Sequence, residues 1–201
     1  MLIPAHGVLT SSVKNGVAPI FISIGQSTCY SSNEFLHQDI IGKVIATGDY
    51  PKNLDKINPA LDYAIVRISQ IVDIKPALIP TEYMSPANSL MVVGFPLTYT
   101  FNTKTGFRYP TASFVKLMNI GSDGSFTTSN TKNDFGSSGS GVFVLDEDKE
   151  RPELIVAGMI RGRSGWGIQT AAILIRLKKD SPEIFKELGD AIQTNSCNNI
   201  K

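Results

Sequence analysis

Short apolar runs separated by turn-forming residues dominate this sequence and restrict the folds it can adopt. The runs are rich in Val, Ile, Phe and Thr, and several alternate apolar with polar residues at period two, which is typical of β-strands. We predict strands at residues 18–24, 40–46, 62–68, 89–95, 113–119, 124–129, 141–145, 153–161 and 170–175. Gly, Pro, Asn and Asp cluster between them, as in GDYPKN and NIGSDG. Because no helical pattern separates the strands, the spacing favours an antiparallel barrel or sandwich over an α/β sheet.

One α-helix is predicted near the end of the sequence. Ser181 is a good N-cap residue, and Pro182 suits the first helical turn. Apolar residues then follow at helical spacing: Ile184, Phe185, Leu188 and Ile192. The turn-rich segment at residues 79–87 (IPTEYMSPA) suits a link between two halves of the molecule. The predicted units are residues 1–84, residues 85–178, and a helix with a polar tail at residues 179–201.

The composition excludes several classes of protein. The chain has 201 residues, of which 42% are hydrophobic and 18% charged, as expected for a globular protein. Its formal net charge of +1 supplies no electrostatic attraction for nucleic acid or for an acidic membrane. No apolar run approaches the ~20 residues of a transmembrane helix, and the first residues lack the basic-then-apolar pattern of a secretory signal. We therefore predict no nucleic-acid partner and no membrane partner, and we assign no compartment.

Metal and disulfide chemistry are not expected. Cys29 and Cys197, the two cysteines, are interpreted as free thiols, because a bridge between them would have to hold the polar tail TNSCNNIK. His6 and His37 are the two histidines, and no cysteine cluster accompanies them, so a structural zinc site is not predicted. We therefore predict no metal and no cofactor.

The glycine–serine stretch FGSSGSGVF at residues 135–143 carries the main functional signal. Its composition is that of a flexible linker, but it runs directly into the apolar segment VFVL, which must be buried. A phosphate-binding P-loop would need Lys and then Ser or Thr where Val142 and Phe143 stand. An α/β-hydrolase elbow around Ser138 would need Gly at the position of Ser140. The remaining interpretation is a functional turn whose glycines adopt backbone shapes closed to other residues.

Two residues that could activate a serine lie upstream. His6 lies in LIPAHGVL, and Asp62 opens the apolar strand LDYAIVRI, 56 residues after His6 and 76 residues before Ser138. With these blocks in this order, the sequence resembles the trypsin/chymotrypsin-like serine peptidases, whose chain order is His, Asp, Ser. PAHGV is similar to the family's Ala-Ala-His-Cys block, LDYAIVRI to Asp-Ile-Ala-Leu, and GSSGSG to Gly-Asp-Ser-Gly-Gly-Pro. VVGFP resembles a segment that recurs in bacterial and glutamyl-endopeptidase-like members, so the bacterial or viral branch of the family is the nearest in pattern. The resemblance as a whole covers residues 2–175.

The resemblance implies a role for each of these residues. Ser138 would be the nucleophile, His6 the general base and later the general acid, and Asp62 the group that orients the imidazole. The backbone N–H groups of Gly136 and Ser138 would form the oxyanion hole. The implied fold is all-β, a double antiparallel β-barrel with an incomplete first barrel, followed by the C-terminal α-helix.

The same resemblance indicates a substrate cleft. VAGMI is similar to the family strand that lines the cleft. The residues assigned to substrate binding are Lys132, Ile160, Arg161 and Gly162. Inward-pointing cations, with Arg163 as a further candidate, would favour an acidic side chain before the cleaved bond. Exposed cations on loop rims are the alternative that we prefer, and cleavage after basic residues is not expected.

Other polar residues receive structural interpretations. His37, in EFLHQD, is interpreted as a solvated loop residue. Asp49 and Asp55 compete for the role of the acid, but neither opens an apolar strand. Ser137 and Ser140 are interpreted as turn residues.

The sequence departs from the family pattern in three ways. Gly7 follows the histidine where the family has cysteine, and Ser137 replaces the acidic residue used in zymogen activation, so that route of activation is not expected. In the family, three strands precede the histidine, whereas the first strand predicted here follows His6. We expect Met1 to be an internal methionine of a longer product, which is the more economical account; the alternative is a truncated relative that need not be active. In both cases we expect His6 to be poorly held at an open edge.

The sequence therefore predicts a serine endopeptidase that hydrolyses peptide bonds through an acyl-enzyme intermediate. Its expected partners are peptide or protein substrates, and its expected state is monomeric. A catalytically inactive, peptidase-like module that binds peptides is the main alternative. A β-sandwich binding domain would explain the strands but would leave the ordered His, Asp and Gly-Ser blocks unexplained.

Overall fold

The protein is built mainly from antiparallel β-sheet followed by two helices. The computed structural model describes residues 1–7, 20–26, 36–48, 61–68, 78–80, 82–86, 89–94, 111–129, 138–146, 153–161 and 165–197. Within these residues the strands form two sheets, and the β structure includes one strongly curled, half-barrel-like sheet. The predicted antiparallel β architecture is confirmed at this level.

Four strands form an N-terminal sheet in the order β1-β4-β3-β2. They are β1 (Leu2–Ile3), β2 (Ile20–Gln26), β3 (Leu36–Thr47) and β4 (Ala64–Ile68). All three neighbouring pairs are antiparallel. A single 3-10 turn at Ala5–Gly7 follows β1. Because β1 pairs with β4, the turn after β1 lies close to the residues that precede β4.

Seven strands form a C-terminal sheet in the order β6-β5-β9-β10-β11-β8-β7. They are β5 (Leu90–Gly94), β6 (Thr111–Val115), β7 (Leu117–Ile120), β8 (Ser125–Thr128), β9 (Gly141–Asp146), β10 (Glu153–Ile160) and β11 (Trp166–Gln169). The strands β6 and β7 lie at opposite ends of this order, yet the single residue Lys116 joins them. The Ser129 N–H also donates to the Lys116 carbonyl at 2.6 Å. This sheet must therefore curl, because its two end strands are adjacent in the chain.

Two helices follow the C-terminal sheet. They are α1 (Thr170–Asp180) and α2 (Pro182–Cys197), and α2 is the helix predicted from the sequence. Ser181 separates them: its N–H donates to the Leu177 carbonyl at 2.9 Å, and its own carbonyl accepts the Phe185 N–H at 3.1 Å. One residue therefore ends α1 and begins α2, as expected for a serine before a helix-starting proline.

The strand predicted at residues 170–175 is wrong, because these residues form the first half of α1. Periodicity alone does not distinguish a short, continuous apolar run in a strand from one in a buried helix. The buried residues Thr170, Ile173 and Leu177 recur at helical spacing, while Ile175 points outward and is 54% exposed. The strong helix formers that follow, including Lys178, extend the helix beyond the apolar run.

Several smaller predictions also need correction. The single strand predicted at residues 113–119 is divided at Lys116 into β6 and β7. The short strands β1 and β11 were not predicted. His37, interpreted as a loop residue, lies in β3 by its backbone. Cys29, Asp49 and Asp55 lie outside the described residues.

Two clusters of buried side chains hold the structure together. The first fills the inside of the curled C-terminal sheet and contains Leu90, Val92, Phe126, Val142 and Ile160, among others. The second contains Tyr63, Met159, Ile168 and Ile173, with Leu2 packed against it. Because its members come from both sheets and from α1, the second cluster fixes the position of one sheet relative to the other.

Helix α2 is also linked to the N-terminal sheet. Arg67 on β4 donates two hydrogen bonds to the Glu187 carboxylate, the Nε–Oε1 bond being 3.1 Å long. Both side chains are about half exposed, so this pair contributes little stability by itself.

Among the described helices, neither combines the length and the apolar character needed to span a membrane.

The second cluster generates a test of the packing. The substitution Ile173→Ala should lower the free energy of unfolding by about 2–5 kcal/mol, because it leaves a cavity between the two sheets. The matched control Ile175→Ala, on the exposed face of the same helix, should change it by less than about 0.5 kcal/mol. Urea unfolding followed by far-UV circular dichroism measures both values. Equal effects of the two substitutions would contradict this account of the core.

Candidate active site

The Asp62 side chain occupies the centre of the candidate site. Asp62 lies two residues before β4, and its side chain has no exposed surface. Its Oδ1 accepts the backbone N–H of His6 at 2.8 Å, and its Oδ2 accepts the His6 Nδ1–H at 2.6 Å. The two bonds bind one carboxylate to both the backbone and the ring of the same residue. This contact fixes the position and the orientation of the imidazole.

The segment that carries His6 is held by β-pairing. Leu2 and Ile3 on β1 pair with Ile65 and Ala64 on β4. The pairing extends to Met1, whose carbonyl accepts the Val66 N–H at 2.8 Å. His6 therefore follows the edge strand of the N-terminal sheet, and the pairing of β1 and the bond of its own N–H tie this edge to the rest of the sheet.

The turn that carries Ser138 is fixed to the end of β10. The Gly139 N–H donates to the Ile160 carbonyl, and the Ile160 N–H donates to the Ser140 carbonyl, each at 2.8 Å. Gly139 has φ = +93°, a conformation that side-chain-bearing residues rarely adopt. Its hydrogen atoms face Pro4, since a Cβ at this position would lie 3.4 Å from the Pro4 Cδ. The turn therefore contacts the His6 segment, and its positive φ, not a lack of space, favours glycine here.

The three polar residues of the sequence-based prediction come together in one hydrogen-bonded chain. The Ser138 Oγ lies 2.8 Å from the His6 Nε2, on the opposite side of the ring from Asp62. An ionised carboxylate only accepts hydrogen bonds, so the His6 Nδ1 carries a proton. In the neutral imidazole the Nε2 is then an acceptor, and the Ser138 hydroxyl donates to it. This is the arrangement that a base-activated serine requires.

The second serine of the turn is placed differently. Ser140 is 6% exposed, and its hydroxyl packs against β5. A Cβ on Gly94 would lie 1.7 Å from the Ser140 Oγ, so this glycine makes room for the serine side chain. Ser138, by contrast, is half-buried and bonded to His6. The geometry therefore distinguishes the two hydroxyls of the GSSGSG stretch that the structure describes.

The protonation state of Asp62 is set by opposing influences. Burial raises the pKa of the Asp62 carboxyl, but the hydrogen bonds from the His6 ring and backbone, with the charges of His6 and Arg161, outweigh burial. The net result is a pKa below the usual value of 3.8. Asp62 is therefore ionised at neutral pH, although no water reaches it.

Arg161 contacts this site in a way that the sequence did not indicate. Its Nε donates to the Asp62 Oδ2, the oxygen that also accepts the His6 ring N–H. Its side chain is 12% exposed, so it is not the exposed rim cation that we preferred from the sequence. Its carbonyl oxygen lies 3.1 Å from the Ser138 Oγ and is a second, alternative acceptor for the single hydroxyl proton. No pattern in the sequence signals that this arginine pairs with the carboxylate, because the two residues are 99 positions apart.

The remaining predicted site residues are only partly described. Ile160 is fully buried in the first cluster, and its backbone is what contacts the serine turn. Lys132, Gly136 and Gly162 lie outside the described residues, as does Arg163. Within the part of the chain that the structure covers, no three His, Cys, Asp or Glu side chains are arranged to hold a metal ion.

No protein-family model and no curated protein sequence matches this chain. A functional assignment therefore depends on the residues themselves and on the geometry given above.

The turn conformation generates a prediction about stability. Gly139→Ala should lower the free energy of unfolding by about 1–2 kcal/mol, because a side chain strains a left-handed backbone. Gly189→Ala is the matched control: Gly189 lies within α2, and an added Cβ meets nothing within 4 Å. That variant should be stabilised by about 0.5–1 kcal/mol, since alanine is the better helix former. Urea unfolding measures both, and equal signs would contradict the assigned backbone conformations.

The ionised, buried carboxylate generates a prediction about pH. Because the pKa of Asp62 is lower in the folded protein than its usual value of 3.8, its charge stabilises the fold above that value. This contribution is lost as the pH falls through the lower, folded-state pKa. The difference in free energy of unfolding between the wild type and Asp62→Asn should therefore shrink as the pH falls from about 5 to below 3.8.

Denaturant titrations at several pH values measure this difference. Glu82→Gln, which removes an exposed carboxyl group, is the control and should follow the wild-type curve at every pH. A difference between the wild type and Asp62→Asn that stays constant with pH would show that the carboxylate is not selectively stabilised.

Proposed function

We propose that this protein is a serine endopeptidase of the trypsin-like type. The observation that supports the proposal most strongly is the chain of hydrogen bonds from the Asp62 carboxylate through the His6 ring to the Ser138 hydroxyl. Three residues from distant parts of the sequence form it, and a serine activated by such a chain is suited to acyl transfer. The order His, Asp, Ser along the chain agrees with the motif resemblance.

In the proposed reaction, Ser138 Oγ attacks the carbonyl carbon of a peptide bond and its proton moves to the His6 Nε2. The C–N bond then breaks, the proton passes from Nε2 to the leaving amine, and an ester to Ser138 remains. Water attacks this ester and gives a proton to His6. The C–Oγ bond breaks, and the proton returns to Ser138. Asp62 keeps its charge throughout and stabilises the imidazolium form of His6.

Two further features belong to the proposal. The oxyanion of the tetrahedral intermediate is bound by the N–H groups of Ser138 and Gly136, a role that follows from the motif resemblance. The two antiparallel sheets correspond to the two barrels of the family fold, with the site in the cleft between them. Supporting this, Asp62 and His6 belong to the N-terminal sheet region and Ser138 to the turn before β9.

A fluorophosphonate probe tests the proposal. The probe forms a covalent bond with an activated serine oxygen, so the wild type should be labelled on Ser138 and Ser138→Ala should not be labelled. Ser140→Ala is the matched control, because it removes a hydroxyl from the same turn and should keep the label. Mass spectrometry of the labelled peptide identifies the modified residue. Incubation with denatured casein then tests whether peptide bonds are cut, with Ser138→Ala as the blank.

The opposite result is equally informative. A folded wild type that takes no label would overturn the proposal of an endopeptidase and would favour the alternative, a module that binds peptides without cutting them. Labelling that survives Ser138→Ala but is lost in Ser140→Ala would show that Ser140, and not Ser138, is the reactive serine. Circular dichroism on each variant shows whether a loss of labelling follows from a loss of fold.

A further inference from the structure

The carboxylate oxygen of Asp62 that accepts the His6 ring N–H also accepts a hydrogen bond from Arg161. The Asp62 Oδ2 accepts hydrogen bonds from both the His6 Nδ1 and the Arg161 Nε. Two nitrogen atoms that bond one oxygen lie within about 6 Å of each other. The guanidinium is always charged, so a fixed positive charge stands close to the imidazole ring.

The surroundings make this contact strong. Asp62 has no exposed surface and Arg161 has 12%, so water does little to screen the pair. The backbone of Arg161 is held as well: it directly follows β10, its N–H donates to the Trp166 carbonyl at 2.8 Å, and its carbonyl oxygen lies 3.1 Å from the Ser138 Oγ. The residue therefore contacts the site through both its side chain and its carbonyl.

The charges at the site show what the arginine contributes. When His6 is neutral, it donates a hydrogen bond to Asp62 but supplies no charge, and Arg161 balances the buried carboxylate. When His6 takes a proton, two cations share one anion. Within the described part of the chain, the charged groups that face His6 are Asp62, before β4, and Arg161, after β10; the neutral hydroxyl of Ser138 faces the other nitrogen.

We propose that Arg161 is a positioning residue that keeps Asp62 ionised and makes His6 release its proton more readily. The inference rests on the proposed function, since it concerns the residue that moves the proton in acyl transfer. A histidine that releases its proton readily favours transfer to the leaving amine. It also remains a competent base at a lower pH, so the working range of the enzyme extends toward acid.

The titration of His6 tests this directly. The Cε1–H resonance of His6 is followed by NMR against pH and is distinguished from that of His37 with the variant His37→Asn. In Arg161→Gln the titration midpoint of His6 should rise by about one pH unit relative to the wild type, because a nearby cation has been removed. Arg161→Lys, which keeps the charge, should rise less than Arg161→Gln. The control Arg67→Gln removes an arginine that pairs with Glu187 instead and should match the wild type.

A measurement on the wild-type protein complements the variants and does not depend on their folding. The Arg161 Nε–H signal should shift as His6 titrates and should exchange with solvent at least about tenfold more slowly than that of Arg67, which is half exposed. If activity is present, the acidic limb of kcat/KM should move toward higher pH in Arg161→Gln by the same amount as the NMR midpoint. An unchanged His6 midpoint in folded Arg161→Gln, or an Arg161 signal that ignores the His6 titration, would overturn the inference.

These results separate the two proposals. A wild type that takes no fluorophosphonate but shows the coupling between Arg161 and His6 supports the electrostatic role of Arg161 and overturns the proposal of an endopeptidase. A labelled wild type whose His6 midpoint is the same in Arg161→Gln supports the endopeptidase and overturns the role of Arg161.

Discussion

The buried carboxylate of Asp62 is the interaction on which the candidate site depends. It accepts hydrogen bonds from the backbone and ring of His6 and from the guanidinium of Arg161. A buried charge is tolerated only when hydrogen bonds and an opposite charge replace its lost hydration, and removing a partner typically costs about 3–5 kcal/mol. His6, which follows β1, and Arg161, which follows β10, both donate to this carboxylate. The Asp62 side chain therefore links the N-terminal sheet to the end of β10.

Adjacent residues before β4 serve two different purposes. Asp62 contacts the polar groups of the site, while Tyr63 is 2% exposed and belongs to the apolar cluster between the two sheets. Burial, and secondarily the charge of Asp180, raise the pKa of the Tyr63 hydroxyl, so this side chain stays neutral inside the cluster. Packing between the sheets and alignment of the site are thus coupled through two neighbouring residues. Helix α1 completes the arrangement because it contributes Ile173 to the same cluster.

Most of the strands and the second helix could be predicted from the sequence, because local residue patterns determine them. Alternating apolar residues bounded by glycine, proline and asparagine predicted β3, β4, β5, β8, β9 and β10, with boundaries that differ by a few residues. The capping serine and the proline after it predicted α2. The first helix was missed because the run AAILI is compatible with a strand, and tertiary packing on β10 and β11 decides in favour of the helix. The strand β1 was missed because two residues carry no periodicity.

The sequence by itself determined the antiparallel β architecture and singled out His6, Asp62 and Ser138, since residue type and order along the chain are local properties. Only the tertiary structure decided that these three side chains form one hydrogen-bonded chain, that Ser140 packs against β5, and that Arg161 shares the Asp62 carboxylate. Contacts between residues about 100 positions apart depend on how the two sheets meet. That geometry arises from the packing of the whole chain, and no short segment of the sequence encodes it.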